Sequence, residues 1–197
     1  RIPGEVTKAS ALGSPQTSAV ANFVNDWQRN IDSFRGANKT TLRFDETTVE
    51  LGAFAIDRHL KHPIFQWLDY RYDDYGGFAR VLDERRIAGF KNRLLVGLNV
   101  HNGSVDADQY DNNGGQKGNK LSSTKNESEN TTAYIENSFY ILPQLAIVAG
   151  TQFLDASRKL TDKMGTASGS ESYDAWSPKV GLLWEVDRHW QIYANVA

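Results

Sequence analysis

YIENSFYILPQLAIVAGTQF, residues 134–153, sets two alternating runs on either side of a Pro143–Gln144 pair. Over 133–141 the odd positions are Ala133, Ile135, Asn137, Phe139 and Ile141, against Tyr134, Glu136, Ser138 and Tyr140, so one side is the greasier. A period of two places successive side chains on opposite faces of a strand, and a two-residue connection folds one strand back antiparallel to the next. After the turn, Leu145, Ile147, Ala149, Thr151 and Phe153 oppose Ala146, Val148, Gly150, Gln152 and Leu154. This second run is apolar on both sides, which leaves its orientation open. The greasy side of the hairpin needs a cover: a second protein layer in water, or hydrocarbon in a membrane.

The same alternation recurs along the chain. Val180, Leu182, Trp184 and Val186 oppose Gly181, Leu183 and Glu185, and Trp190, Ile192, Ala194 and Val196 oppose Gln191, Tyr193 and Asn195. Leu94, Val96, Leu98 and Val100 alternate with Leu95, Gly97, Asn99 and His101, and 38–45 pairs with 48–59 about Asp45–Thr47. This amounts to about eight strands. Short connections fall at 45–47, within 84–90, at 143–144 and at 187–189; long ones fall at 60–76, 102–131 and 156–177. They alternate, so an up-and-down meander gathers the short turns at one end and the long connections at the other. That asymmetry is typical of outer-membrane barrels. The long segments, such as DADQYDNNGGQKGNKLSSTKNESEN over 106–130, are too polar to build a core and are predicted to be mobile surface loops.

Composition narrows the classes. Against 24 Asp+Glu stand 22 Lys+Arg, a net charge of -2, so no general basic field attracts nucleic acid. There is no cysteine, which removes disulfides, thiolate metal sites and a cysteine nucleophile. No apolar run approaches the ~20 residues of a spanning helix, whereas a barrel strand needs only ~9–11 with every second one apolar. A mean hydropathy of -0.53 is therefore compatible with a membrane barrel. The chain opens at Arg1 without Met or a signal segment, as expected of a mature or excised piece.

Over 16–34, Val20, Phe23, Val24, Trp27, Ile31 and Phe34 follow helical spacing, with Thr17 or Ser18 as candidate N-cap. This predicts one short amphipathic helix at the long-connection end, resting on the barrel rim. Tyr134, Phe139, Tyr140, Phe153, Trp184, Trp190 and Tyr193 lie near strand ends, where rings that are part apolar and part polar suit a water–lipid boundary as well as an ordinary sheet.

SPKVGLLWEVDRHWQIYANVA, from Ser177 to the last residue, resembles barrel strands of TonB-dependent outer-membrane receptors. The likeness extends to AYIENSFYILPQLAIVAGTQFLDASR (133–158), GFKNRLLVGLNVHNG (89–103), LKHPIF (60–65) and the opening RIPGEVT, in the order found in ferric-citrate and siderophore receptors. The resemblance implies an all-β, antiparallel transmembrane barrel of about 22 strands with an N-terminal plug. It also implies import of a ferric chelate with energy relayed from TonB, in the outer membrane of a Gram-negative bacterium. Residues 1–197 would then be the middle part of one barrel domain, without plug or final strands.

Local chemistry adds a ligand surface and no reaction. His59 and His62 lack a third metal ligand, and Asp106, Asp108 and Asp111 miss calcium-loop register because Tyr110 stands where a ligand is needed. Ser138 and Ser157 have no nucleophile elbow, and Gly114, Gly115 and Gly118 lack the Lys-Ser/Thr of a phosphate loop. Neither an enzyme nor a cofactor is expected. Asn38, Asn126 and Asn130 open Asn-X-Ser/Thr triplets, which in the bacterial outer-membrane protein that the resemblance implies would be accidents of polar loops. Arg58, Arg71 and Arg80, with Tyr70, Tyr72 and Tyr75, surround the 60–76 segment and are the candidate contacts for an anionic chelate. Rim salt bridges and an aromatic girdle account for the same residues. Two rivals remain: a complete eight-stranded outer-membrane barrel acting as adhesin or scaffold, and a soluble β-sandwich binding module or hydrolase.

Overall fold

The computed structural model describes residues 6–197; residues 1–5, most of the RIPGEVT opening, lie outside the described residues. Nine strands make one antiparallel sheet: β1 (Asn30–Phe44), β2 (Thr47–Pro63), β3 (Gln66–Asp83), β4 (Arg86–Ile87), β5 (Phe90–Asn113), β6 (Gln116–Leu142), β7 (Leu145–Asp162), β8 (Gly169–Glu185) and β9 (Gln191–Val196). The spatial order β1-β2-β3-β5-β6-β7-β8-β9 follows the chain, and the two-residue β4 pairs only with β5. This is the up-and-down meander of a barrel wall. The four short connections fall where alternation stops: Asp45–Glu46, the 84–89 segment holding β4, Pro143–Gln144, and 186–190.

Cross-strand partners point to the same face, so the register propagates one side chain's orientation around the wall. Starting from Leu42 and Phe44 on β1, it collects Val49 and Leu51 on β2, Val81 and Ala79 on β3, and Leu94, Val96 and Leu98 on β5. It continues through Ala133 and Ile135 on β6, Ile147, Ala149 and Phe153 on β7, Trp176, Val180, Leu182 and Trp184 on β8, and Ile192 and Val196 on β9. One face is apolar across all eight long strands. The five positions Val180, Leu182, Trp184, Ile192 and Val196 are 48% to 74% exposed. No second sheet covers them among the described residues, which removes the sandwich. β1 and β9 each have a single neighbour, so the wall is an open arc and not a small closed barrel.

The opposite face is mixed, with Glu50, Arg80, Asn99 and Gln152 among Phe54, Leu82, Leu95 and Val148, and it is crowded locally. At Gly97 a Cβ would lie 2.3 Å from the ring of Tyr134, its cross-strand partner. At Gly52 it would lie 2.2 Å from Phe78. The rings lie flat over neighbouring backbone at these points, which only a residue without side chain allows.

Two expectations are corrected. The 60–76, 102–131 and 156–177 segments are not loops: β2 and β3 turn at Ile64–Phe65, β5 and β6 at Gly114–Gly115, and β7 and β8 only over 163–168. β5 and β6 are 24 and 27 residues long, more than twice the ~9–11 needed to cross a membrane. Such polar sequence cannot form a core, yet a strand standing in a wall needs none. Its backbone groups are satisfied sideways, and both faces are free to be solvated. Gly114 and Gly115, at φ 62° and 88°, supply the left-handed conformations of a two-residue hairpin.

The helix over 16–34 is also shorter than its periodicity suggests. Only α2 (Val20–Val24) is helical there, preceded by α1 (Lys8–Gly13), and Ile31 and Phe34 belong to β1. Thr7, not Thr17 or Ser18, acts as a side-chain cap, and it caps α1; Ala19 at the N-cap of α2 makes no such bond. Val20, Phe23 and Val24 are exposed, whereas Asn22 is buried. With its apolar side chains this exposed the helix gains little from burial, whereas fifteen register pairs with β2 hold residues 30–44 extended.

Candidate functional site

On the outward face, the apolar rows stop at Ala55, Tyr75, Val100, Ala133 and Phe153, and beyond them every second residue is polar or charged. Here Asp106 meets Lys163 and Asp69 meets Lys117, while Lys120 lies 2.8 Å from Asp108 and Lys125 2.8 Å from Glu127. His59 Nε2 is 2.5 Å from Asp69 Oδ1. Burial, the largest single influence on Asp69, pushes its carboxyl up. The Lys117 and His59 bonds together outweigh it and hold the group below its ordinary value. Asp108 follows the same balance, with Lys120, Ser123 and Tyr110 opposing burial. These acids are ion-paired wall residues, and no group of three or more ligating side chains able to hold a metal occurs among the described residues.

The inward face differs in chemistry. Arg58 lies with its guanidinium 4.0 Å above the Tyr72 ring, a stacked cation that keeps donors available at the ring's edge. Tyr70 stands edge-on to Tyr72 at 6.3 Å, and its hydroxyl accepts from Gln109 Nε2 at 2.7 Å. Further round, Arg158 donates to the carbonyls of Ser157 (2.6 Å) and Glu129 (3.2 Å) and to Asn130 Oδ1 (2.8 Å). It borders a hollow of about 510 Å³ shared with Asp74, Asn126, Ser128, Ser170 and Glu171. His101 Nε2 is 3.8 Å from Asp74 Oδ1.

The six sequence candidates divide by parity. Arg58, Tyr70, Tyr72 and Arg80 share the inward face; Arg71 and Tyr75 share the outward face with Ala79 and Val81. Arg80 sits lower and is engaged by Glu50, which also lies 2.5 Å from Lys39. Arg71 instead lines an outward hollow with Asp69, Asp106 and Asp108. Arg158, His101 and Gln109 were not singled out from sequence. Counting the period of two onward through the polar segments would have placed them, since Arg158 is in step with Ala156 and Val148.

The β7–β8 tip carries its own lock. Asp162 accepts from the backbone N–H of Met164 (3.0 Å), Gly165 (2.8 Å) and Ala167 (3.4 Å). The Met164 and Gly165 bonds hold its carboxyl below the ordinary 3.8. A depressed folded-state pKa means the contribution is complete above the unfolded value and is lost as pH falls through the folded one. Amide protection at 163–167 in the full-length protein should therefore drop as pH is lowered below about 4, and Asp162→Asn should flatten that drop. Identical pH profiles for the two proteins would show that the carboxylate is not the lock.

Residues 7–197 match the family described as TonB dependent receptor-like, beta-barrel. No curated protein sequence matches the chain. Among solved structures, the ferric citrate transporter FecA, in its unliganded form, superposes with a TM-score of 0.83 at 16% identity, over 98% of this chain and 30% of that one. The alcaligin outer-membrane receptor FauA from Bordetella pertussis gives 0.66 at 16% identity, over 85% and 28%. The siderophore receptor PiuA from Acinetobacter baumannii gives 0.65 at 11%, over 85% and 32%. At these identities the likeness is one of fold, and the chain spans about a third of the length of each.

Proposed function

The chain belongs to the TonB-dependent receptor β-barrel family, a family of outer-membrane transport receptors, and on that premise we propose that it is one arc of the barrel of an importer for a ferric chelate. The outer membrane of a Gram-negative bacterium is its location. The arc belongs to a single barrel domain whose remaining strands and plug complete the lumen. The observation that carries the reading is the division of the wall by parity: predominantly apolar rows outward, arginines beside tyrosines inward. Hydrocarbon explains the first, and a lumen that receives an anionic, hydrogen-bonding solute explains the second.

In mechanism, the wall residues bind and orient; no covalent step is required of them. Arg58 and Arg158 draw an anionic chelate toward the wall, since a guanidinium matches carboxylate geometry and keeps its charge at any physiological pH. Tyr70, Tyr72 and Gln109 offer ring faces and hydrogen bonds that fix orientation. Release inward requires energy relayed through the plug from the TonB complex. The test is uptake of radiolabelled ferric citrate and ferric hydroxamates by iron-starved cells whose sole receptor is the full-length protein. Accumulation that stops when the proton-motive force is collapsed is expected. Uptake indifferent to the proton-motive force, or absent for every ferric chelate, would sink the reading.

A further inference from the structure

Asn112, near the tip of the β5–β6 hairpin, is in contact with three separate pieces of chain. Its Nδ2 donates to the carbonyl of Asn25 at 3.0 Å and to that of Ile64 at 2.6 Å. Its Oδ1 accepts from the backbone N–H of Gly115 at 2.7 Å. One amide thus ties the segment following α2 to the β2–β3 tip and to its own turn. The partners are backbone groups at a strand-free edge, where the ladder no longer satisfies them.

Further contacts converge on the same place. Gln28 N–H donates to Pro63 O at 3.1 Å, and His62 Nδ1 donates to Gln28 O at 2.6 Å. Trp27 meets Phe65 edge-on at 4.9 Å. Trp67 Nε1 donates to the Gly115 carbonyl at 2.9 Å. A Cβ on Gly115 would lie 2.7 Å from Cβ of Asp26, so the segment following α2 occupies the space that a side chain there would need. Asp26 itself holds φ 45°, a left-handed conformation that costs a non-glycine residue energy and persists only where surroundings enforce it.

We propose that residues 24–28, the β2–β3 tip and the β5–β6 tip form one clasp at the outer lip of the wall, fastened by Asn112, so that the three open and close as a unit. Asn112 is a positioning residue. The clasp joins elements 48 and 87 residues apart in sequence, and it ties the segment before β1 directly to the β5–β6 tip, which the sheet otherwise reaches from it only across β1, β2 and β3. Opening any one member alone would leave a part-buried backbone carbonyl or the Asn112 amide with an unmade hydrogen bond, which penalises partial opening. Cooperative release follows.

Two substitutions at one position separate the clasp from a local turn effect. Asn112→Ala removes every bond; Asn112→Asp keeps the acceptor for Gly115 N–H but removes both donations. Hydrogen exchange of the full-length receptor in lipid is the readout. With Asn112→Ala, amides at 24–28, 62–66 and 112–116 should all exchange at least tenfold faster, while β5–β7 amides within the apolar band are unchanged. With Asn112→Asp, 24–28 and 62–66 should accelerate together and 112–116 much less. Acceleration confined to 112–116 in Asn112→Ala, or 24–28 and 62–66 responding separately in Asn112→Asp, overturns the proposal. Exchange resolves these segments whether or not a ferric chelate is transported, so its outcome is independent of the import reading.

Discussion

Leu98→Arg in the full-length receptor should cost about 2–4 kcal/mol and sharply reduce the folded fraction in lipid vesicles, the depth-dependent penalty of a cation on a lipid-facing strand. Leu98 stands in the middle of the outward rows, flanked by Ala79 and Ala133, and is 44% exposed. One residue along, Asn99 faces inward between Phe78 and Thr132, and Asn99→Arg should be tolerated. Urea unfolding and resistance of the folded barrel to cold detergent compare the two. Equal costs at 98 and 99 would mean that the apolar rows do not face hydrocarbon, and the membrane assignment would fall. The size is decisive because total stabilities are only ~5–15 kcal/mol.

Arg58→Gln should weaken binding of an anionic ferric chelate such as ferric citrate tenfold or more. A hydrogen bond to a charged group contributes about 1.5–3 kcal/mol, and ~1.4 kcal/mol is a factor of ten. The glutamine retains hydrogen-bonding ability and roughly the reach, so the loss reports charge and the stacked geometry over Tyr72. Arg71→Gln is the matched control. It lies on the adjoining strand yet on the outward face, so its removal should leave binding unchanged. Titration of the purified receptor with both variants checks this; an Arg71→Gln defect as large as that of Arg58→Gln would show that inward parity does not define the ligand surface.

The contrast between those two arginines shows what sequence could reveal. Alternation at 94–100, 133–153 and 180–196 was enough to find strands and turns, because a face buried in lipid writes an apolar residue at every second position; the barrel class rested on the family resemblance and the order of the connections. Above the band that writing stops. In 116–131 both faces are wet, no hydrophobic period survives, and the extended state is held by lateral backbone bonds and cross-strand charges such as Lys159 with Glu127. Composition there reads as loop although the chain is strand. The helix at 16–34 failed for the converse reason: its spacing was genuine, but Val20, Phe23 and Val24 stay largely exposed, and pairing with β2 claims Ile31 and Phe34. Arg58, Arg71, Tyr70 and Tyr72 could be named as a neighbourhood from sequence; only the register divides them between lumen and exterior. Arg158 and Gln109 lie in segments whose composition reads as loop, whereas His101 sits in a run legible as strand and nothing around it in sequence marks it as a ligand contact.

The length of β5 and β6 has a mechanical consequence. From Val100 to Asn113 the hairpin arm reaches about 40 Å at ~3.3 Å per residue, braced by its neighbours and pivoting where the hydrocarbon ends. A tilt of about 5° at that pivot swings its end by roughly 4 Å, the scale of a solute's own radius. A rigid lever of this kind converts a slight rearrangement of the membrane-embedded wall into a large excursion at the entrance, with no need for any segment to unfold.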